Sequence, residues 1–232
     1  MVTKLKTPTI PITEIEQSAF CQTDDELAAK PLEEEFKAGV RWQRIPPAYV
    51  RLSPDEIGRR ISEVRATLGE RLVVLGHHYQ RDEVIKFADL RGDSFKLSQY
   101  AASHEEAEYI IFCGVHFMAE TAKILSPEKT VVLPDRDAGC SLEESCPPDE
   151  LRKLQDTNNN FFTVTYINCS AEVKALSDVI CTSGNAQKIV EQCPPEKDLL
   201  FVPDENLGQW VMEQTGRPMT LWHGNCYVHV EW

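Results

Sequence analysis

The sequence has no CxxC pair, no GxGxxG, no GxxxxGK[ST], and no apolar run approaching the ~20 residues of a membrane span. Its N-terminus, MVTKLKTPTIPITEIEQ, lacks the apolar stretch of a secretory leader. Each absence excludes something. Without CxxC, zinc ribbons and thioredoxin-like sites are set aside, and any metal ligands must come from distant segments. Without a glycine-rich phosphate loop, an ordinary nucleotide-binding domain loses its support. Without a leader or a span, a cytoplasmic chain with no membrane partner is expected. Basic residues are also scarce: 24 Lys and Arg stand against 37 Asp and Glu, for a net charge of −13. That balance argues against nucleic acid or an anionic membrane surface as a general partner, since either needs a basic face. An anionic substrate would have to be held by local groups.

Cysteine, by contrast, is plentiful. Eight stand at positions 21, 113, 140, 146, 169, 181, 193 and 226, and without a leader they suggest metal or redox chemistry before a disulfide framework. Free cysteine is also among the most buried residue types, so most are expected in the core. Cys113 lies within an apolar run and Cys169 and Cys181 at the ends of two others, which favours burial. Cys146 and Cys193 each precede a Pro pair and read as loop residues.

At 232 residues and 42% apolar, the chain can bury a sizeable core. Residues 1 to about 50 are polar, acidic and dotted with proline, and are expected to be a poorly ordered extension. Ser53-Pro54-Asp55-Glu56 then reads as a helix start with a capping box, Ile57, Ile61, Val64 and Leu68 recur at helical spacing, and Gly69 closes the helix. Beyond it, short apolar runs alternate with helical segments: RLVVLGHHY, AEYIIFCG, KTVVLPD, FFTVTYIN, SDVICTSG, KDLLFVPD and PMTLWHGNC. Runs of this kind are the pattern of a parallel sheet covered on both faces, so the fold class is α/β.

The runs repeat. His77 precedes Ser94 by 17 residues and Tyr166 precedes Ser183 by 17, which relates two units by an offset of 89. The same offset carries IIFCG onto LLFVPD and TVVLPD onto MTLWHG. The units close on AGC at Cys140 and GNC at Cys226, 86 apart. Two copies of one four-stranded unit are expected.

In open α/β sheets, ligands bind beyond the carboxyl ends of the strands. The polar residues there are His77, His78, Tyr79 and Gln80, Asp93 and Ser94, and His116. In the second unit they are Tyr166 and Asn168, Thr182 and Ser183, Asp204 and Glu205, and finally His223, Cys226 and His229. Cys140 and Cys226, at equivalent ends of the two units, would meet at a shared centre. In GVHFMAETAKIL, Phe117 and Met118 read as core, Glu120 and Lys123 as a surface pair. His116 is ambiguous between site and surface.

Five blocks in order, HHYQRDEV with GDS, FCGVHFMAETAKILSPEKTVVLPDRDAGCSL, VTYINCSAEVKALSDVICTSGNA, LFVPDENLGQWVMEQTGR and LWHGNCYVH, closely resemble the quinolinate synthase family of bacterial NAD biosynthesis, over about residues 53 to 232. The resemblance implies αβα units around a pseudo-threefold axis, with a 4Fe-4S cluster held by one cysteine from each. It places residues 51 to 142 in the first unit and 143 to 232 in the second, with no counterpart of the third unit. The third cysteine, a catalytic glutamate and part of the phosphate surface would belong to that third unit.

By the same resemblance Cys140 and Cys226 are cluster ligands, and His77 and Tyr79 an acid/base pair. His77, Ser94, Tyr166, Asn168, Thr182, Ser183 and His229 match substrate-binding positions. The implied reaction condenses iminoaspartate with dihydroxyacetone phosphate, with L-aspartate oxidase or aspartate dehydrogenase as the source of iminoaspartate. Two positions depart from the pattern: His78, where a second Tyr is common, and Cys169, where Thr is usual. A reading of a different class is a non-catalytic α/β fragment that binds metal or a dicarboxylate weakly.

Overall fold

Ser53 begins the part of the chain that carries the sheets. In the computed structural model, which describes residues 47–226, the chain divides into a unit ending at Leu52 and a second beginning at Ser53. Of the first, only the short helix α1 (Pro47–Val50) and its closing turn are described, so most of the expected extension lies outside the described residues.

Ser53 caps α2 (Pro54–Leu68): its Oγ accepts from the Glu56 N–H at 3.2 Å, Pro54 fits the first turn, and Gly69 at φ 55° ends the helix. Glu56 does not complete the expected capping box. Its carboxylate is taken by Arg59 and Arg60, at 2.8 Å each, because two guanidinium donors outbid one backbone amide.

The first sheet comprises β1 (Leu72–His77), β2 (Leu90–Gly92), β3 (Tyr109–Cys113) and β4 (Thr130–Val132), all parallel, in the order β2-β1-β3-β4. Helices α3 (Asp82–Ile85), α4 (Ser94–Ser103) and α5 (His116–Leu125) connect them. After α6 (Ser141–Glu144) and α7 (Pro148–Gln155), the pattern returns with β5 (Phe161–Tyr166), α8 (Ala171–Ala175), β6 (Val179–Cys181), α9 (Ala186–Gln192), β7 (Asp198–Val202), α10 (Glu205–Thr215) and β8 (Met219–Leu221). The second sheet is again parallel, in the order β6-β5-β7-β8.

The duplication holds at the level of single hydrogen bonds. Leu75 faces Leu90 in the first sheet and Val164 faces Val179 in the second, both pairs displaced by 89 residues. Asp89 Oδ2 accepts the Val74 N–H at 2.7 Å, and its equivalent Asp178 accepts the Thr163 N–H at 2.7 Å. Further on, Ile110 pairs with Val131 but Leu199 with Met219, an offset of 88. One residue has been lost before β8, which begins the drift to the 86 that separates the two cysteines.

Apolar residues of β1 and β3 pack with α4 and α5 in one core, around Leu75, Leu97, Phe112 and Phe117. The second sheet has a core on each face. Val164, Val190, Phe201 and Val211 form one, and Cys146, Leu151, Cys169, Val173, Leu200 and Val202 the other. The cysteine expectations divide accordingly. Cys169 and Cys181 are fully buried, as expected, whereas Cys113 at the end of β3 is only half-buried; Cys146 and Cys193 lie in loops but are buried as well. Phe117 and Met118 are core residues, as expected.

The expected pair of Glu120 and Lys123 does not form. Glu120 accepts the Ala171 N–H at 2.7 Å, while Lys123 donates to the carbonyls of Pro127 and Lys129 at 2.8 Å each. Each side chain finds a stronger partner in unpaired backbone groups than in the other across an exposed helix surface.

Candidate functional site

The carboxyl ends of β1 and β5 carry the most polar residues of the two sheets. His77 ends β1 and lies opposite Gly92 of β2, so the following Asp93 and Ser94, at the start of α4, share its edge of the sheet. Asp93 caps α4 by accepting the Lys96 N–H at 2.9 Å, and Ser94 is buried in the first turn. Tyr166 ends β5 opposite Cys181, which brings Thr182 and Ser183 to the equivalent place. Asn168 is half-buried just beyond Tyr166, Thr182 is half-buried, and Ser183 is exposed.

His77 and Tyr79 stack with ring centroids 4.1 Å apart. Burial pushes the His77 imidazole down to about 4, with His78 adding to the shift and Asp93 opposing it. Its Nδ1 is buried with no hydrogen-bond partner among the described residues. Tyr79 leaves 55% of its surface open, but its hydroxyl reaches inward to the Sδ of buried Met118 at 3.8 Å. Burial of that end, with Cys140 adding, pushes the phenol up to about 12.

Tyr166 is also pushed up to about 12, by burial first and then by Asp204, Cys181, Cys140 and Cys226. Cys140 thus lies within electrostatic reach of both tyrosines, and Cys226 of Tyr166. Cys140, half-buried on the core of the first sheet, caps the short helix α6. Burial raises its thiol, and Cys226 and Glu143 add to the rise. The backbone N–H groups of Glu143 and Leu142 favour the thiolate without closing a capping hydrogen bond. Cys226 is half-buried in the segment after β8. His77 stacks beside Tyr79, Tyr79 and Tyr166 both feel Cys140, and Cys140 feels Cys226. His229 lies outside the described residues.

Three participants escape the sequence reading. Asn185 accepts both the backbone N–H (2.6 Å) and the hydroxyl (3.1 Å) of Thr182, shaping the turn that presents Thr182 and Ser183. Its position just before α9 in TSGNA is the signal that could have found it. Lys174 is largely buried beside Phe117, with its Nζ 5.6 Å from the ring centroid, and it donates to the Cys169 carbonyl. Glu143, a residue of α6, accepts from His116 Nδ1 at 3.3 Å.

His116 follows the end of β3 and lies beside the Cys140 segment, its N–H donating to the Ala138 carbonyl at 2.9 Å. It offers Nδ1 to Glu143 and lies 3.8 Å from Glu120. These three side chains bring one ligand atom each to within 4.8 Å of one another. Glu120 already spends an oxygen on Ala171, however, and the Lys174 ammonium lies within electrostatic reach of both carboxylates. The group is an ionic brace between α5, α6 and α8. His223, 88% exposed, pairs with Glu205 at 3.1 Å and contributes little at that exposure.

Two parallel sheets of one topology, each with a tyrosine at or just beyond the end of its first strand and a cysteine after its last, define a duplicated αβα protein. The chain belongs to the quinolinate synthetase A protein (NadA) family, which matches residues 59–232. A quinolinate synthase of Cyanothece sp. is 53% identical over 176 residues, covering 76% of this chain and 54% of the relative. Another, of Synechocystis sp., is 57% identical over 157 residues, covering 68% and 49%. One of Trichodesmium erythraeum is 52% identical over 176 residues, covering 76% and 54%. The chain spans about half the length of the curated relatives it matches.

Proposed function

We propose that the protein carries two of the αβα units of a quinolinate synthase, residues 51–142 and 143–232. The proposed reaction condenses iminoaspartate with dihydroxyacetone phosphate to quinolinate, releasing phosphate and two waters. The observation that carries this reading is that Cys140 and Cys226, which follow the last strands of the two repeats, lie within electrostatic reach of one another and of Tyr166. Half-buried cysteines from equivalent ends of two repeats, one of them facing backbone N–H groups, suit thiolate ligation. Cys140 and Cys226 would hold a 4Fe-4S cluster. When bound, such a cluster supplies a Lewis-acidic iron where a protein ligand is lacking.

The chain's own groups divide the remaining work. Neutral at physiological pH, His77 can accept a proton at its free imidazole nitrogen, and Tyr79, still protonated, can donate one. Tyr166 and Asn168 offer neutral donors to carboxylates, and His229 is assigned to the same task. Ser94 in the first turn of α4, and Thr182 and Ser183 in the turn before α9, offer hydroxyl and backbone donors to an anion. The upstream partner would be an enzyme that oxidises aspartate to iminoaspartate, either an oxidase or a dehydrogenase.

Anaerobic reconstitution with iron and sulfide tests the reading, followed by thiolate-to-iron absorbance and iron per chain. Cluster formation that Cys140→Ala and Cys226→Ala each abolish is the expected result. Iron uptake indifferent to both substitutions would remove the cluster assignment.

A further inference from the structure

Among the described residues Cys226 lies beyond β8 in a stretch whose one ladder contact is the Gly224 bridge to Asp204, and Cys140 stands just before a helix of only four residues. Neither element fixes the separation of the two thiols. Contacts of the Cys226 segment with β7 and the start of α10 anchor it, and two contacts with Ser145 tie it to the Cys140 segment. The Trp222 N–H donates to Phe201 C=O at 2.9 Å, and its indole Nε1–H donates to the Ser145 carbonyl at 2.9 Å, across 77 residues. The Glu205 N–H donates to Gly224 C=O at 2.8 Å. Gly224 also presses so closely on its surroundings that a Cβ there would lie 2.4 Å from Ser145 Oγ and 2.3 Å from Pro203 O.

Ser145 is in turn tied to the Cys140 turn. Its N–H donates to Ser141 C=O at 3.0 Å and its Oγ to Leu142 C=O at 2.7 Å. An unbroken run of short contacts therefore links Cys140, through α6 and Ser145, to Trp222, Gly224 and Cys226. The Trp222 ring packs on the Cys146, Leu151 and Leu200 core. Packing alone would not require its N–H to end on a carbonyl five residues beyond Cys140.

We infer that Ser145, Trp222 and Gly224 form a positioning lock that sets the distance between the Cys140 and Cys226 thiols. The importance of that distance rests on the proposed cluster site, but the lock is a property of the metal-free chain and can be measured there. A ligand pair held loosely by ångström-scale error loses most of its affinity, so the residues that hold it matter nearly as much as the ligands.

The test treats the reduced 232-residue chain with dibromobimane, which bridges neighbouring thiols, and measures the Cys140–Cys226 adduct by peptide mass. Trp222→Phe keeps the ring and removes its N–H, while Gly224→Ala forces the Cβ collision. Both are checked for folding by circular dichroism and thermal midpoint. The lock predicts efficient bridging in the native chain and a severalfold loss in either folded variant. Iron affinity should fall about tenfold alongside.

Wild-type bridging in folded Trp222→Phe overturns the inference, as does failure of the native chain to bridge. Should Gly224→Ala not fold, Trp222→Phe decides alone. A native chain that bridges but takes up no iron leaves the lock standing and sinks the cluster reading instead.

Discussion

At neutral pH three groups of the rim are uncharged by a wide margin, because burial takes the His77 pKa down to about 4 and those of Tyr79 and Tyr166 up to about 12. These three neutral groups can exchange protons with a substrate without first shedding a charge of their own. The same burial makes His77 a source of pH-dependent stability. Its folded pKa lies below the ordinary 6.5, so the unfolded chain binds more protons between about pH 4 and 6.5. Stability from this group is therefore full above pH 6.5 and is lost as pH falls towards 4. His77→Asn should flatten that slope by about 1 kcal/mol over the window, after discounting for the partly exposed ring. Urea midpoints of the two proteins across the window check this, and parallel curves would refute it. At this scale the sequence revealed residue types and their places at strand ends, because those follow from the apolar runs. It did not reveal partners such as Asn185 for Thr182 or Ala171 for Glu120, which depend on how loops and units meet.

Among the elements, the two aspartates that tie each first strand to its neighbour offer the sharpest comparison. Asp89 and Asp178 each accept a strand N–H through Oδ2 and return their own N–H to the same residue. Removing the carboxylate strands a part-buried N–H, at a cost of about 2 kcal/mol. Asp178→Ala should lose about that much in denaturant unfolding, with an unchanged dependence on denaturant concentration. Asp89→Ala should lose at least as much, because Asp89 also pairs with Arg65 at 2.6 Å. A negligible effect at both sites would show that water satisfies the strand amides. These aspartates stand 89 apart in ADLRGDS and LSDVICTSG, so the repeat could have identified them. The long elements were equally legible, since α2 begins and ends where its serine and glycine dictate. Four- and five-residue helices such as α3, α6 and α8 carry too few turns for any periodicity to register.

Across the whole molecule, the repeated topology conceals an asymmetry in burial. The second sheet has a core on both faces, and its helix α7 buries Leu151 completely. In the first unit, α2 has the same place in the order of elements, but it buries none of its residues fully, and Val64 is 55% exposed on the Ile57, Ile61 and Leu68 stripe. Periodicity announced that stripe in the sequence, whereas its exposure depends on which surfaces come to face it and could not be read there. An apolar helix face left open in water favours association, since burying it recovers roughly 25 cal/mol for every Å² removed from solvent. The 232-residue chain is therefore expected to self-associate in a concentration-dependent way, with a scattering mass above its 26.3 kDa. Val64→Glu places a charge in the middle of the stripe and should return the mass towards the monomer without loss of fold. If the unsubstituted chain stays monomeric across the concentration range, the α2 face is satisfied within one molecule and the asymmetry has no energetic consequence.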